Sequence, residues 1–168
     1  MNIREEQPSD IEKIWEVNSE AFETEAEANL INALRKSGCT YISLVAETEN
    51  NIVGHILFTP VELAGDDNQL KIMGLAPMAV FSQYQNKGIG SKLVEAGLEL
   101  CKSQEYDAVV VLGHPNYYPK FGFVSSVKYN IKSEYDVPDD VFMILELVPE
   151  ALKDHEGIIK YHEEFNNV

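Results

Sequence analysis

The stretch from position 84 to position 90, Tyr-Gln-Asn-Lys-Gly-Ile-Gly, has the residue types and the spacing to bind an anion. The apolar run before it, residues 75–81, predicts a strand, and the amphipathic pattern after it, residues 91–103, predicts a helix. At such a junction the unpaired N–H groups of the first helical turn are free to bind a phosphate. Gly88 and Gly90 allow a tight turn and let the phosphate approach without meeting a Cβ atom. The stretch therefore predicts a phosphate-binding loop.

This loop does not match the common nucleotide-binding motifs. No Gly-Lys-Ser/Thr triplet follows at the spacing of a P-loop, and the third glycine of the dinucleotide fingerprint is missing. The two glycines alone would fit an ordinary tight turn before a helix. Further along the chain, the β-branched run at residues 108–112 predicts a second, buried strand, and the aromatic segment 117–123 follows it. The order of these two segments makes the pattern specific.

The two segments in this order resemble the acyl-CoA-binding half of the GNAT superfamily of N-acetyltransferases. The family pattern is Gln/Arg-x-x-Gly-x-Gly/Ala at the head of the central helix and then an aromatic-Tyr-x-x-x-Gly-Phe segment. Here these are residues 85–90 and residues 117–123. The longer run 109–123 is similar to one bacterial branch of N-acetyltransferases. The resemblance covers most of the chain and is strongest over residues 75–123.

The resemblance implies a mixed α/β (α+β) fold in a single N-acetyltransferase domain, residues 1–168. Its centre would be a mixed, mostly antiparallel twisted sheet of about six or seven strands flanked by helices. A splayed pair of parallel strands, residues 75–81 and 108–112, would hold the cofactor. A chain of 168 residues is long enough to bury the core of one such domain.

Acetyl-CoA is the co-substrate that the resemblance implies. Its pyrophosphate is expected on the backbone of the loop, and its pantetheine arm on the strand before the loop, paired as another strand would be. An N–H near Val80 is the expected oxyanion donor. Met78 and Val80 would also fit ordinary sheet core. The cofactor-binding residues expected from the family are Met78, Ala79, Val80, Gln85, Asn86, Lys87, Gly88, Ile89, Gly90 and Ser91.

Tyr118 is the expected general acid, because it aligns with the family tyrosine placed beside the cofactor sulfur. A phenol with a reference pKa of about 10 stays protonated at neutral pH and can donate to the departing thiolate. Tyr117 is the competing assignment, and the family register favours Tyr118. Alternatively, Tyr118 packs under the helix and its hydroxyl finds an ordinary hydrogen bond. Direct attack of the amine needs no covalent intermediate, so no serine or cysteine triad is required.

The general base is less clearly marked. His114 follows the strand at residues 108–112, where α/β sites collect, and histidine titrates near neutrality; a capping or packing role also fits it. His55, inside a predicted strand, is either structural or faces the substrate groove. Glu25 and Glu27 are candidate bases if the second helix walls the pocket, and otherwise capping and surface charges. Deprotonation through ordered water would need no dedicated base.

The chain departs from the common family pattern just after the fifth strand. Many members carry an asparagine near the end of that strand and a full helix after it. Here Val111 and the sequence Gly-His-Pro at residues 113–115 occupy that region, so the helix must be short. The contacts that this region makes to pantetheine in other members are therefore not carried over.

The composition limits which classes of partner the protein can bind. The net charge of −15 argues against nucleic acid and is compatible with a cationic amine, while Lys87 and Lys92 would offset it locally for the anionic cofactor. No apolar run approaches the roughly 20 residues that span a bilayer, and the N-terminus lacks a signal-peptide pattern, so a cytoplasmic protein without membrane contact is expected. Cys39 and Cys101 match no metal or redox spacing, and no metal is expected.

The elements that must position these residues follow from periodicity and turn signals. Two amphipathic N-terminal helices are predicted, with a break at residues 22–24 and a stop at Gly38. Residues 41–47 and 52–61 predict a hairpin, and a turn at residues 65–68 leads into a strand at 69–81 that contains Pro77. Residues 129–140 are expected to form a polar, mobile loop. Further strands are predicted at residues 123–124, 141–148 and 157–161.

Taken together, the sequence predicts transfer of an acetyl group from acetyl-CoA to a primary amine by direct attack in a ternary complex. The acceptor would be a small-molecule or peptide amine, and the protein a monomer or homodimer. One alternative is a non-catalytic acyl-CoA-binding or regulatory module of the same fold, which would bind the cofactor without amine-dependent thiol release. A second alternative is a nucleotide-binding protein that uses the same glycine turn.

Overall fold

The computed structural model of the 168-residue chain describes residues 1–66 and 70–168. The chain divides into two compact units. Unit one comprises Met1–Thr59, Ala76–Gly97 and Glu163–Val168, and unit two comprises Pro60–Leu75 and Leu98–His162. Two long strands contribute residues to both units. The turn predicted at residues 65–68 and the first residue of the strand predicted at 69–81 lie partly outside the described residues.

Three α-helices and nine strands form in the described parts of the chain. The helices are α1 (Ile11–Phe22), α2 (Ala26–Ser37) and α3 (Ile89–Ser103). The strands are β1 (Asn2–Glu5), β2 (Ile42–Thr48), β3 (Asn51–Ala64), β4 (Ile72–Val80), β5 (Ala108–Leu112), β6 (Val124–Ser125), β7 (Ile131–Ser133), β8 (Phe142–Glu146) and β9 (Gly157–Lys160).

The strands pair in the order β1-β2-β3-β4-β5-β8-β6, and β9 pairs with both β3 and β7. The β4–β5 and β7–β9 pairs are parallel. The β1–β2, β2–β3, β3–β9, β5–β8 and β6–β8 pairs are antiparallel. The expected mixed α/β class with a mostly antiparallel sheet is therefore confirmed. The strand number exceeds the expected six or seven because short strands such as β6 and β7 join the sheet.

In unit one, α1 and α2 bury their apolar faces against the first strands. Positions three and four apart along each helix fall on one face, which is why these faces are continuous. The chain breaks between α1 and α2 where Glu23 takes a left-handed conformation (φ 57°), and α2 ends at Gly38 (φ 76°), both as predicted. The buried core of unit one contains Ile14, Val17, Leu30, Ile31, Leu34, Val45, Ile52, Leu57 and Ala79.

In unit two, β5 pairs with β4 over four residues, from Ile72↔Ala108 to Leu75↔Val111. On its other side β5 pairs with β8 over its whole length. Burial on both faces explains the continuous β-branched sequence of β5. The core of this unit contains Val61, Ile72, Ala108, Val110, Ile131, Phe142, Ile144, Leu152 and Ile159.

Two local predictions were wrong. The segment 129–140 is not a loop throughout, because β7 lies within it and Ile131, fully buried, fixes that strand against β9. The sequence Ser-Asp-Ile-Glu at residues 9–12 also predicts a capping box, which does not form, because Ser9 lies inside a 3₁₀ turn, Pro8–Asp10, rather than before the helix. The Asp10 carboxylate instead accepts the Gln7 N–H at 2.7 Å.

Candidate functional site

The loop before α3, residues 85–88, exposes its main chain. Asn86 and Gly88 both have left-handed backbones, with φ 63° and 84°, and α3 starts at Ile89. A Cβ atom at position 88 would meet nothing within 4 Å, so the glycine is required by its backbone angle and not by crowding. The first helical hydrogen bond runs from Lys92 N–H to the Gly88 carbonyl (3.1 Å). The N–H groups before Lys92 are those that a helix start offers to an anion.

Four hydrogen bonds fix the approach to this loop within unit one. The Phe81 N–H donates to the Val53 carbonyl on β3 (2.9 Å), and the Gln85 side-chain amide donates to the Val80 carbonyl (2.9 Å). The Glu20 carboxylate on α1 accepts both the N–H (3.1 Å) and the hydroxyl (2.7 Å) of Ser82. These bonds tie the end of β4, the 3₁₀ turn Ser82–Tyr84 and the loop to α1 and β3.

The end of β4 carries the residues expected to hold the pantetheine arm. Because Phe81 donates to β3 and main-chain groups alternate in direction along a strand, Ala79 also faces β3 with its N–H and C=O. The main-chain groups of Met78 and Val80 then face the opposite edge. Ala79 is 3% exposed and belongs to the core of unit one. Met78 and Val80, but not Ala79, therefore have main-chain groups at the edge where another strand would pair.

Tyr118 opens a 3₁₀ turn, Tyr118–Phe121, in unit two. Its ring is 8% exposed and makes edge contacts with the rings of Tyr117 (5.0 Å between centroids) and Phe123 (5.7 Å). A Cβ atom at Gly113 would lie 2.9 Å or less from atoms of the same ring, so glycine is needed there for the ring to fit. The hydroxyl makes no hydrogen bond with the described residues. Burial, and next the nearby Tyr117, raises the pKa of Tyr118 to about 12.

The main chain of His114 lies just before this turn and bonds to its start. Its carbonyl accepts the N–H groups of Tyr117 (3.1 Å) and Tyr118 (3.4 Å), while its side chain is exposed. The Lys120 ammonium lies over the ring of Tyr117, 4.2 Å from its centroid. The short helix expected after β5 is thus a single 3₁₀ turn, Tyr118–Phe121, and the His114 carbonyl fixes the chain just before it.

His55 is fully buried in unit one. Its Nδ1 accepts from the Asn18 side-chain amide (3.2 Å), and its Nε2 lies 2.9 Å from the Ser43 hydroxyl. That hydroxyl donates to the Glu6 carboxylate, so the proton between His55 and Ser43 belongs to His55. Desolvation, and next the charge of Arg35, lowers the pKa of His55 to about 3. Of the two expectations for this residue, the geometry favours the structural one.

Glu25 and Glu27 both act at the start of α2. Glu25 is the exposed N-cap residue of the helix. Glu27 accepts a hydrogen bond from the Thr24 hydroxyl (3.2 Å), and the same hydroxyl accepts the Ala26 N–H (3.1 Å). The Glu25 side chain makes no capping hydrogen bond and, among the described residues, Glu27 bonds only the Thr24 side chain, so the geometry fits charged residues at a helix start.

The described residues contain no group of three or more histidine, cysteine, aspartate or glutamate side chains arranged to hold a metal ion. Cys39 is partly exposed and Cys101 is buried, and both are free thiols. Of the helices in the described part of the chain, none combines the length and the apolarity that a membrane-spanning helix needs.

Comparison with known proteins identifies the family. The model of the acetyltransferase (GNAT) domain family matches residues 2–125. The chain is 35% identical over 167 residues to the uncharacterized N-acetyltransferase YhbS of Escherichia coli, covering 99% of each chain. This chain belongs to the GNAT acetyltransferase family.

Two solved structures of GNAT proteins resemble this chain closely. One is YhbS of Escherichia coli in complex with CoA, with a TM-score of 0.92 and 34% identity, over 98% of this chain and 91% of that one. The other is a GNAT acetyltransferase from Brucella melitensis in complex with acetyl-CoA, with a TM-score of 0.81 and 31% identity, over 98% and 97% of the two chains. The fold of this GNAT chain is therefore shared with one protein solved with CoA and one solved with acetyl-CoA.

If Glu20 holds the turn before the loop in place, removing its carboxylate should weaken the binding of acetyl-CoA. Replacing Glu20 with alanine removes the acceptor for two Ser82 donors, which frees the turn before the loop. We expect the dissociation constant for acetyl-CoA to rise about threefold to tenfold, the range that follows from losing one or two hydrogen bonds. Glu16→Ala, a second carboxylate lost from the same helix, is the control and should leave the affinity unchanged. Equal affinities in both variants would contradict this role.

The raised pKa of Tyr118 is testable by titrating tyrosinate absorbance in the wild type and in Tyr118→Phe. The difference between the two curves isolates the Tyr118 phenol, which should ionise near pH 12 and not near pH 10. The folded state then holds this proton more tightly than the unfolded state. Stability should therefore be lost as pH rises from about 10 toward 12. A difference curve with a midpoint near 10 would show that the ring is solvated.

Proposed function

We propose that this protein transfers the acetyl group of acetyl-CoA to a primary amine. Family membership and the CoA and acetyl-CoA complexes of two relatives support the proposal. The single observation that carries it is the exposed loop at residues 85–88, which leads directly into α3 and in which Gly88 has a left-handed backbone. We further propose that residues 1–168 act as one domain in the cytoplasm, as a monomer or homodimer.

The pyrophosphate of acetyl-CoA would lie on the main chain of the loop and the first turn of α3. The residues in this role are Gln85, Asn86, Lys87, Gly88, Ile89, Gly90 and Ser91. The helix start supplies partial positive charge, and the exposed Lys87 supplies a full one. These local charges must offset a net charge of −15, so the affinity for the anionic cofactor should depend on this loop.

The pantetheine arm would pair with the edge of β4 beyond Leu75, where the β4–β5 ladder ends. Met78 and Val80 have their main-chain groups at that edge. The Val80 carbonyl already accepts the Gln85 side chain, so we propose that Val80 contributes its N–H, as a donor to the thioester oxygen. Ala79 would contribute packing through its small side chain rather than hydrogen bonds.

The reaction would be a direct attack. The amine nitrogen forms a bond to the thioester carbonyl carbon, the carbon–sulfur bond breaks, and the thiolate of CoA leaves. One proton leaves the nitrogen, and one proton ends on the sulfur. With no covalent intermediate, the protein needs only to orient the two substrates and stabilise the developing charges.

The pKa of Tyr118 shapes its role in this step. At about 12 it lies above the reference pKa of a thiol, about 8.5, so complete transfer of the phenolic proton to the thiolate is uphill. A hydrogen bond from the neutral phenol to the thiolate stabilises the leaving group without that cost. We therefore propose that Tyr118 donates a hydrogen bond to the leaving sulfur, and that the proton given up by the amine reaches the sulfur through water. His114, exposed beside the turn, is the candidate base for that water.

Replacing Tyr118 with phenylalanine tests the proposed step. The ring packing is retained and the donor is lost, so turnover should fall by about tenfold to a hundredfold. The affinity for acetyl-CoA, measured by calorimetry, should change little. Amine-dependent thiol release by the wild type distinguishes the enzyme from a non-catalytic acyl-CoA-binding module.

Tyr117→Phe is the matched control, because it removes a neighbouring phenol from the same turn. Its turnover should stay within a small factor of the wild type. Unchanged turnover in Tyr118→Phe would remove Tyr118 from the mechanism. A large loss in Tyr117→Phe instead would assign the role to its neighbour.

A further inference from the structure

We propose that the acceptor is a small amine that carries a second positive charge, and that a cavity in unit two binds this second charge. The proposal rests on the acetyl transfer proposed above. The cavity, called here the acceptor cavity, has a volume of about 310 Å³. Its lining residues are Ser126, Val127, Lys132, Ser133, Glu134, Tyr135, Asp136, Val137, Pro138, Asp139 and Phe142.

The walls of the acceptor cavity are held in place by hydrogen bonds. The Ser125 hydroxyl donates to the Asp139 carbonyl (2.8 Å), and the Val141 N–H donates to the Pro138 carbonyl (3.3 Å). At the other end of the segment, the Glu134 N–H donates to the Ile159 carbonyl on β9 (3.1 Å). The segment between β7 and β8 is thus tied at both ends, and the cavity is part of the folded unit.

The charge of the acceptor cavity favours a cation. Three carboxylates line it, against one ammonium, that of Lys132. One Glu134 oxygen already accepts the Tyr161 N–H (2.6 Å). The side chains of Asp136 and Asp139 are exposed and form no hydrogen bond or ion pair with the described residues. Two carboxylates are therefore available to an ammonium group, beside the ring of Tyr135, which can contact a cation through its face.

Ser126 points independently to a polar ligand. The residue is 1% exposed and lines the acceptor cavity, and its hydroxyl has no hydrogen-bond partner within the described parts of the chain. Buried hydroxyls are almost always paired, because an unpaired one has lost its water without compensation. A ligand N–H group, or the water that accompanies it, would complete this hydroxyl. Acidic side chains alone would only describe a solvated surface.

The acceptor cavity adjoins the strand ends that carry the Tyr118 turn. Phe142 in its wall pairs with Leu112, the last residue of β5. The next residue, Gly113, donates its N–H to the Val141 carbonyl (2.9 Å), and Gly113 is the residue against which the Tyr118 ring packs. We therefore expect an amine whose far end lies in the cavity to have its other end near the start of this turn.

The volume of the cavity and the hydrogen bonds of its lining limit the size of the ligand. A volume of about 310 Å³ lies at the lower end for ligand sites, which favours a small diamine over a large substrate. A larger cavity, of about 720 Å³, lies in the same unit and is lined by Glu146. The Glu146 carboxylate already accepts hydrogen bonds from the Tyr129 hydroxyl (3.3 Å) and the Leu152 N–H (3.0 Å). The buried Ser126 hydroxyl, without a partner among the described residues, lines the smaller cavity, so we assign the acceptor to the smaller cavity.

The test compares 1,4-diaminobutane with butylamine as acceptors, by thiol release at saturating acetyl-CoA. The two differ in one terminal ammonium group. We expect the wild type to prefer the diamine by at least about tenfold in kcat/KM, since close pairing of one charge is worth about this much. Asp139→Asn should raise the KM of the diamine about threefold to tenfold and leave that of butylamine and of acetyl-CoA unchanged.

Asp140→Asn is the matched control, because it removes the same charge from the neighbouring residue, which is exposed and does not line the cavity. It should behave as the wild type with both amines. Equal kcat/KM for the two amines in the wild type would overturn the proposal. So would equal effects of Asp139→Asn and Asp140→Asn, because the preference would then come from overall charge.

Ser126→Ala is a second test, in which stability and diamine binding are expected to respond differently. Removing an unpaired buried hydroxyl should leave the melting temperature unchanged or raise it, while the KM of the diamine rises about threefold to tenfold. An unchanged KM would show that the hydroxyl has no ligand.

The proposal that the cavity binds a cation and the proposal of acetyl transfer can be tested separately. If no amine supports thiol release, calorimetric titration of 1,4-diaminobutane into the wild type and Asp139→Asn reports on the cavity alone. Binding that weakens in the variant supports the cavity without the reaction, and absence of binding to the wild type overturns it.

Discussion

The main-chain hydrogen bond from Phe81 to Val53 is the constraint on which the account of the cofactor site depends. It fixes which main-chain groups of β4 face β3, and so leaves those of Met78 and Val80 at the opposite edge. The Glu20–Ser82 and Gln85–Val80 bonds then fix the turn that follows. A strand edge and a helix start are thereby held a few residues apart in one unit. These are the two kinds of main-chain donor that a long, anionic thioester requires.

Burial shifts the pKa values of His55 and Tyr118 in opposite directions. For His55, loss of water lowers the pKa to about 3, so the ring stays neutral and serves to join α1, β2 and β3 through Asn18 and Ser43. For Tyr118, the same loss of water raises the pKa to about 12 and keeps the phenol protonated. Burial thus keeps the His55 ring neutral and the Tyr118 phenol protonated near neutral pH.

The sequence predicted the elements whose patterns are local. The helix pair, the hairpin through Glu49 and Asn50, and the loop before α3 all follow from periodicity and from residues with left-handed backbones. It did not predict β7, because a three-residue strand with one buried isoleucine has no recognisable period. It also could not predict that Glu20 binds Ser82, 62 positions away, or that Ser126 lines a cavity. Those contacts depend on tertiary packing, which leaves no local signal.

Calorimetric titration of acetyl-CoA into the purified protein, with ATP as the comparison, measures whether the loop before α3 and the edge of β4 together bind the cofactor. Both ligands carry phosphates that could bind at the start of α3, but only acetyl-CoA has a pantetheine arm to pair with the edge of β4. We expect binding in the micromolar range for acetyl-CoA and much weaker binding for ATP. A folded protein that binds neither ligand, or that binds ATP as tightly as acetyl-CoA, would contradict this expectation.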